Sequence, residues 1–207
     1  MKFDSARNNE ANARRQRFAR VFACFGACVA VMFCFCARAA TAQSSATPSQ
    51  AEIRAAFVFN FVKFTEWPTQ AYPDAGSPLT TCFLGADDVR AAFQTISKGK
   101  ALNGRFLESR AVRSAADMRS CQVLYVESPR SPVVIDALKN ARQRDSLAIG
   151  TSEDFLACGG MLRLQVENNR MRFDVNVGAI GRTKIKLSSK LLALARSVVD
   201  LPEPAGN

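Results

Sequence analysis

IRAAFVFNFVKFTEWP, residues 53–68, is the densest run of large apolar side chains after the apolar stretch at the N-terminus. Ile53, Phe57, Phe61 and Phe64 recur at near-helical spacing, and Val58, Phe59 and Val62 widen that face almost to a full circle. A helix so apolar belongs inside a domain, with layers packed on more than one side. Asn60, Lys63 and Glu66, three apart, leave a narrow polar edge. Ser49-Gln50-Ala51-Glu52 reads as a capping box that satisfies free N–H groups at the helix start. The stop is expected at Trp67, because the residue before Pro68 is pushed out of the helical region.

Downstream, short apolar runs alternate with helical patterns. A strand is predicted over residues 79–85, a helix over 87–97, a strand over 106–112 and a helical turn over 114–118. Strands over 121–126 and 146–150 then flank a helix over 133–142. This alternation argues an α/β domain of three layers, with a mostly parallel central sheet flanked by helices. After a double-glycine turn at 155–160, residues 161–166 and 171–177 form a C-terminal antiparallel hairpin. In its second strand Phe173, Val175 and Val177 are expected inward, with Arg172, Asp174 and Asn176 on a wet face. Residues 188–199 read as a terminal helix with Leu191, Leu192, Ala195 and Val198 inward, followed by a tail at 201–207.

Upstream, residues 1–20 are basic, 21–36 are continuously apolar and 37–43 read ARAATAQ. These are the three regions of a signal peptide, with cleavage expected between Ala42 and Gln43. The apolar run is short for a membrane span. The organisation is therefore a signal peptide over 1–42, a linker over 43–50, a domain over 51–200 and the tail. Seven basic and two acidic residues leave with the leader, so the formal net charge falls from +10 to +5. Export and this mild charge remove the case for nucleic-acid binding.

The chain has no histidine, which excludes Ser-His-Asp and Cys-His catalysis and every histidine-containing metal site. Four of the seven cysteines lie in the leader, leaving Cys82, Cys121 and Cys158. In an oxidising compartment three cysteines suggest one disulfide and one thiol left over. No pair among them has metal-ligand spacing, and neither a metal nor a cofactor is expected. The segment LGADD has one glycine and two acids where a dinucleotide site needs a glycine fingerprint. Ser188-Ser189-Lys190 invites a Ser-Lys hydrolase, but a capping Ser188 and a solvated Lys190 account for it. The chain is read as a non-enzyme, with a periplasmic small-ligand sensor as the second function class.

Two stretches together carry a resemblance: AAFVFNFVKFTEWP at 55–68 and FLACGGMLRLQVENNRMRFDVNVGAIGRTKIKLSSKLLALA at 155–195. In this order, behind a signal peptide, they resemble the YfiR-like family of exported regulators over nearly all of the mature chain. The resemblance implies a periplasmic α/β protein that binds the periplasmic part of an inner-membrane diguanylate cyclase and represses it, lowering cyclic di-GMP and biofilm formation. It also implies a homodimer and a disulfide between Cys82 and Cys121. Cys158 matches one member of a second pair seen in some relatives, but its usual neighbour is missing, so a redox-active or free thiol is expected there. Arg163, Arg170, Arg172, Arg182, Lys184 and Lys186, on the hairpin and before the last helix, are the candidate partner-binding face, and binding through them is expected to be salt-sensitive.

Overall fold

The structure is a computed structural model that describes residues 47–127 and 130–203. The predicted signal peptide lies outside the described residues. Helix α1 spans Gln50–Lys63. Its start is the predicted capping box: the Glu52 N–H donates to the Ser49 hydroxyl at 3.2 Å, and the Ser49 N–H donates to the Glu52 carboxylate at 2.7 Å. It ends before the predicted Trp67. The Thr65 hydroxyl donates to the Phe61 carbonyl, and the chain enters the short strand β1, Thr65–Glu66, which pairs with the later strand β9, Lys186–Leu187.

The main sheet is built from β2 (Leu79–Leu84), β3 (Ala101–Leu102), β4 (Arg105–Val112), β5 (Val123–Val126), β6 (Leu147–Gly150), β7 (Leu162–Glu167), β8 (Arg170–Asn176) and β10 (Ser197–Val199). Their order across the sheet is β10-β8-β7-β6-β5-β2-β4-β3. Strands β4, β2, β5, β6 and β7 run parallel, β8 returns antiparallel and β10 lies parallel to β8. The predicted mixed α/β architecture is therefore observed. Central strands such as LTTCFL in β2 are buried along their whole length, which is why they show no alternation between an apolar and a charged face.

Helix α2 (Asp87–Ser97) connects β2 to β4, and α3 (Pro132–Gln143) connects β5 to β6. The two connections move in opposite directions along the sheet, so right-handed crossovers put their helices on opposite faces. Helix α1 shares the α2 face. Phe59 meets Phe93 of α2 with ring centroids 6.5 Å apart, and Phe61 meets Phe173 of β8 at 5.0 Å. The deepest line of α1 is Ala55, Val58, Phe61 and Val62, while Ile53, Phe57 and Phe64 are only partly covered. Contact with a helix and a strand at once rotates the buried centre away from the spacing the sequence suggests.

The hairpin turn is formed by Asn168 and Asn169, both with positive φ (50° and 58°), as a two-residue turn between twisted strands requires. Gly150 and Gly160 lie against the two sides of the buried Phe155 ring, where a Cβ at either position would collide with it. Two expectations are corrected here. Asp174 and Asn176 are not on a wet face: their exposures are 2% and 0%. The terminal helix is not continuous. Helix α4 (Val177–Gly181) follows β8, α5 is only Ser189–Ala193, and the chain then turns into β10. Ser188 does cap α5 through the Leu191 N–H. The Arg196 N–H, however, donates to the Phe173 carbonyl at 2.8 Å and draws the chain onto the sheet edge. Val198, expected inward, is 49% exposed.

Candidate regulatory and partner-binding site

Cys82 sits in β2, and Cys121 lies just ahead of the neighbouring strand β5. The two are joined, with Cα atoms 5.8 Å apart, and both are buried. The parallel register that sets Cys82 opposite Leu124 brings the start of β5 beside β2. The chain around the bridge is tightly hydrogen-bonded. The Ser146 hydroxyl donates to the Cys121 carbonyl. The buried Gln122 side chain accepts from the Thr80 N–H at 2.9 Å and donates to the Ala71 carbonyl at 2.6 Å, and its own backbone carbonyl accepts from the Trp67 indole at 2.9 Å. Bridge, Gln122 and Trp67 thus tie β2, β5 and the segment after α1 into one unit.

Cys158 is a partly exposed free thiol. Its Sγ lies 3.6 Å from the Asp154 carboxylate. Burial pushes the thiol up, and the Asp154 charge pushes it further, so thiolate is scarce at neutral pH. Such a thiol is a poor nucleophile and a poor attacking group for disulfide exchange.

The six basic candidates fall in separate environments. Arg163 faces inward, donating to Asp174 at 2.8 Å and to the Glu153 carbonyl at 2.8 Å. Arg170 and Arg172 are exposed on β8 near the hairpin turn. Lys186 lies on β9 opposite Glu66. Arg182 and Lys184 line a cleft of about 650 Å³ with Lys139 and Arg142 of α3. Exposed apolar side chains add to the hairpin and C-terminal surface: Val166, Leu194 and Val198.

Sequence reasoning missed two polar clusters. In the first, Arg196 grips Asp174 with two hydrogen bonds of 2.8 Å, joined by Ser197 and Arg163. Burial alone would push the Asp174 carboxyl up, but the bonds from Arg196, Ser197 and Arg163 outweigh it and hold the group below its usual range. Its stabilising contribution is therefore full above the ordinary carboxylate pKa and is lost as pH falls through the lower folded value. Asp174→Asn is expected to cost about 2 kcal/mol in unfolding free energy. That deficit should stay level from pH 8 to about 5 and shrink only below about 4. Denaturant titrations of both proteins across that range check it. A deficit that already vanishes near pH 6 would contradict the assignment.

In the second cluster, Arg54 of α1 pairs with Glu127 at the carboxyl end of β5, and the Glu127 carboxylate also accepts from the buried Tyr125 hydroxyl at 3.4 Å. Burial pushes Glu127 up against the pull of Arg54, and burial raises Tyr125 as well. This crevice between β2 and β5 is where the strand order reverses, the usual ligand position in such sheets. Here an internal guanidinium pair fills it, and Asp87 and Asp88 open α2 beside it, an arrangement hostile to phosphate. The sequence gives a weak signal at Arg54, a charge inside an otherwise apolar part of α1, and none at Asp174, which alternates with Arg172 as a wet strand residue would; the partners of both are remote in sequence.

The sequence model of the YfiR/HmsC-like family matches residues 51–196. No curated protein matches. Among solved structures, an ABC domain in complex with L-Trp from Streptococcus pneumonia is 10% identical, with 58% of this chain and 55% of that one covered and a TM-score of 0.41. A conserved domain protein from Vibrio cholerae O1 biovar El Tor is 13% identical, with 72% and 60% covered and a TM-score of 0.44. The chain spans 55–60% of the length of these two structures.

Proposed function

This chain belongs to the YfiR/HmsC-like family, and we propose that it is an exported periplasmic regulator that binds the periplasmic part of an inner-membrane diguanylate cyclase and restrains it, lowering cyclic di-GMP and biofilm formation. The observation that carries the reading is the family match, which runs from the start of α1 through Arg196 on the approach to β10. The buried Cys82–Cys121 bridge supports it, because such bridges persist in oxidising compartments. The regulator works by binding, without catalysis, and acts as a homodimer.

A domain held rigid by a disulfide and a buried ion network offers its partner a preformed surface, so little ordering is lost on association. The exposed apolar residues Val166, Leu194 and Val198 supply contact area, and the exposed Arg170 and Arg172 of β8 add cationic charge at the hairpin end. Rim charges act chiefly on the association rate and its salt dependence. The second reading, a sensor whose partner affinity responds to a solute, is favoured by the basic cleft beside α3. The test of the main reading is cellular cyclic di-GMP with and without the gene, which is expected to rise on deletion.

A further inference from the structure

The cleft beside α3 has more positive charge than its own fold uses. Lys139 and Arg142 come from the C-terminal half of α3, and Arg182 and Lys184 come from the loop between α4 and β9. Against these four cations stand two carboxylates. Asp145 is already engaged in holding the fold, since its Oδ1 accepts the Lys184 backbone N–H at 2.8 Å and so fixes the loop against the end of α3. Glu203 reaches in from the C-terminal segment. That segment is held by the Arg182 guanidinium on the Leu201 carbonyl at 3.2 Å and by the Leu201 N–H on Asn176 at 3.2 Å.

Glu203 is poorly matched to the cation it meets. Its carboxylate lies 2.6 Å from Arg142 Nη1, yet that buried nitrogen makes no hydrogen bond of acceptable geometry. The Arg142 side chain is only 19% exposed, whereas Glu203 is 60% exposed. A largely solvated carboxylate on a long side chain is held weakly. A second oxyanion on the same molecule would reach a neighbouring cation without a further loss of translational freedom. The open cleft of about 650 Å³ gathers cations from two separate elements and has the volume of a small-molecule site.

We propose that this cleft binds a small soluble anion carrying two or more phosphate or carboxylate groups, with Arg142 and Lys184 as its principal contacts and Glu203 as an internal competitor for Arg142. Such an anion can bind here whether or not a cyclase is the partner, so the cleft stands apart from the cyclase reading.

The experiment is calorimetric titration of the protein, purified after expression of the full-length gene, with pyrophosphate and with citrate. The two probes separate phosphate from carboxylate preference. Binding of either is expected, weakened at least tenfold by Arg142→Gln and severalfold by Lys184→Ala, and weakened by added salt. Glu203→Ala is expected to tighten it about threefold, an effect that misfolding would not produce. The exposed Lys184→Ala variant keeps the test open if Arg142→Gln fails to fold. Absence of heat for both probes in wild type and in Glu203→Ala overturns the proposal. So does binding that is indifferent to Arg142→Gln and Lys184→Ala, or association with phosphatidylglycerol vesicles while neither soluble anion binds.

Discussion

Replacing Cys82 with serine is expected to lower the unfolding free energy by about 4 kcal/mol. The bridge closes a segment with a sequence separation of 39. Constraining a loop of that length in the unfolded chain accounts for about 4 kcal/mol in the chain-entropy treatment. For a domain of this size that corresponds to a fall in Tm of about 10 °C. Both cysteines are buried, so the substitution also places a hydroxyl among apolar neighbours, which adds to the loss. Thermal unfolding of wild type, of wild type under reductant and of Cys82→Ser checks this. The two perturbed samples should unfold at similar, lower temperatures. A reduced wild type that keeps its Tm while its thiols titrate as free would contradict it.

Phe61→Ala is expected to cost about 3–5 kcal/mol, the range for deleting a buried aromatic ring. Phe61 is 1% exposed and lies between Phe57, with ring centroids 6.0 Å apart, and Phe173, at 5.0 Å. It joins α1 to the antiparallel end of the sheet, so the cavity opens between two elements that cannot both collapse into it. The midpoint of a denaturant titration should fall while its slope is kept. A loss under about 1 kcal/mol would mean that α1 is not packed on β8. The partly covered Phe57 should cost less when truncated, because less of its area leaves water on folding.

These contrasts mark what could be read from the chain alone. The α1 capping box, the strand–helix alternation and the Asn168-Asn169 hairpin depend on residues within a few positions of one another, and the sequence displays such signals directly. The terminal segment defeats that reading. SKLLALARSVV carries an apolar pattern compatible with a helix throughout, and its last part is a strand because the Arg196 N–H bonds Phe173 and the Arg196 and Ser197 side chains bond Asp174 on the neighbouring β8. Asp174 itself reads as a solvent-facing member of an alternating strand until Arg163, Arg196 and Ser197 are seen to enclose it. The Arg54–Glu127 pair and the basic cleft likewise join residues far apart in the chain, which periodicity does not report. The basic residues were legible as charges but not as a surface. Folding turns Arg163 inward, leaves Arg170 and Arg172 beside the hairpin turn and gathers Arg182 and Lys184 around Arg142.

The most direct test of the regulatory reading is cyclic di-GMP measured in cells of the source organism, with the gene intact, deleted, and restored as wild type or as Cys82→Ser. The predicted result is a rise on deletion, full reversal by wild type and weaker reversal by Cys82→Ser in proportion to its lost stability. An unchanged level on deletion, in cells shown to make the protein, would contradict the regulatory role.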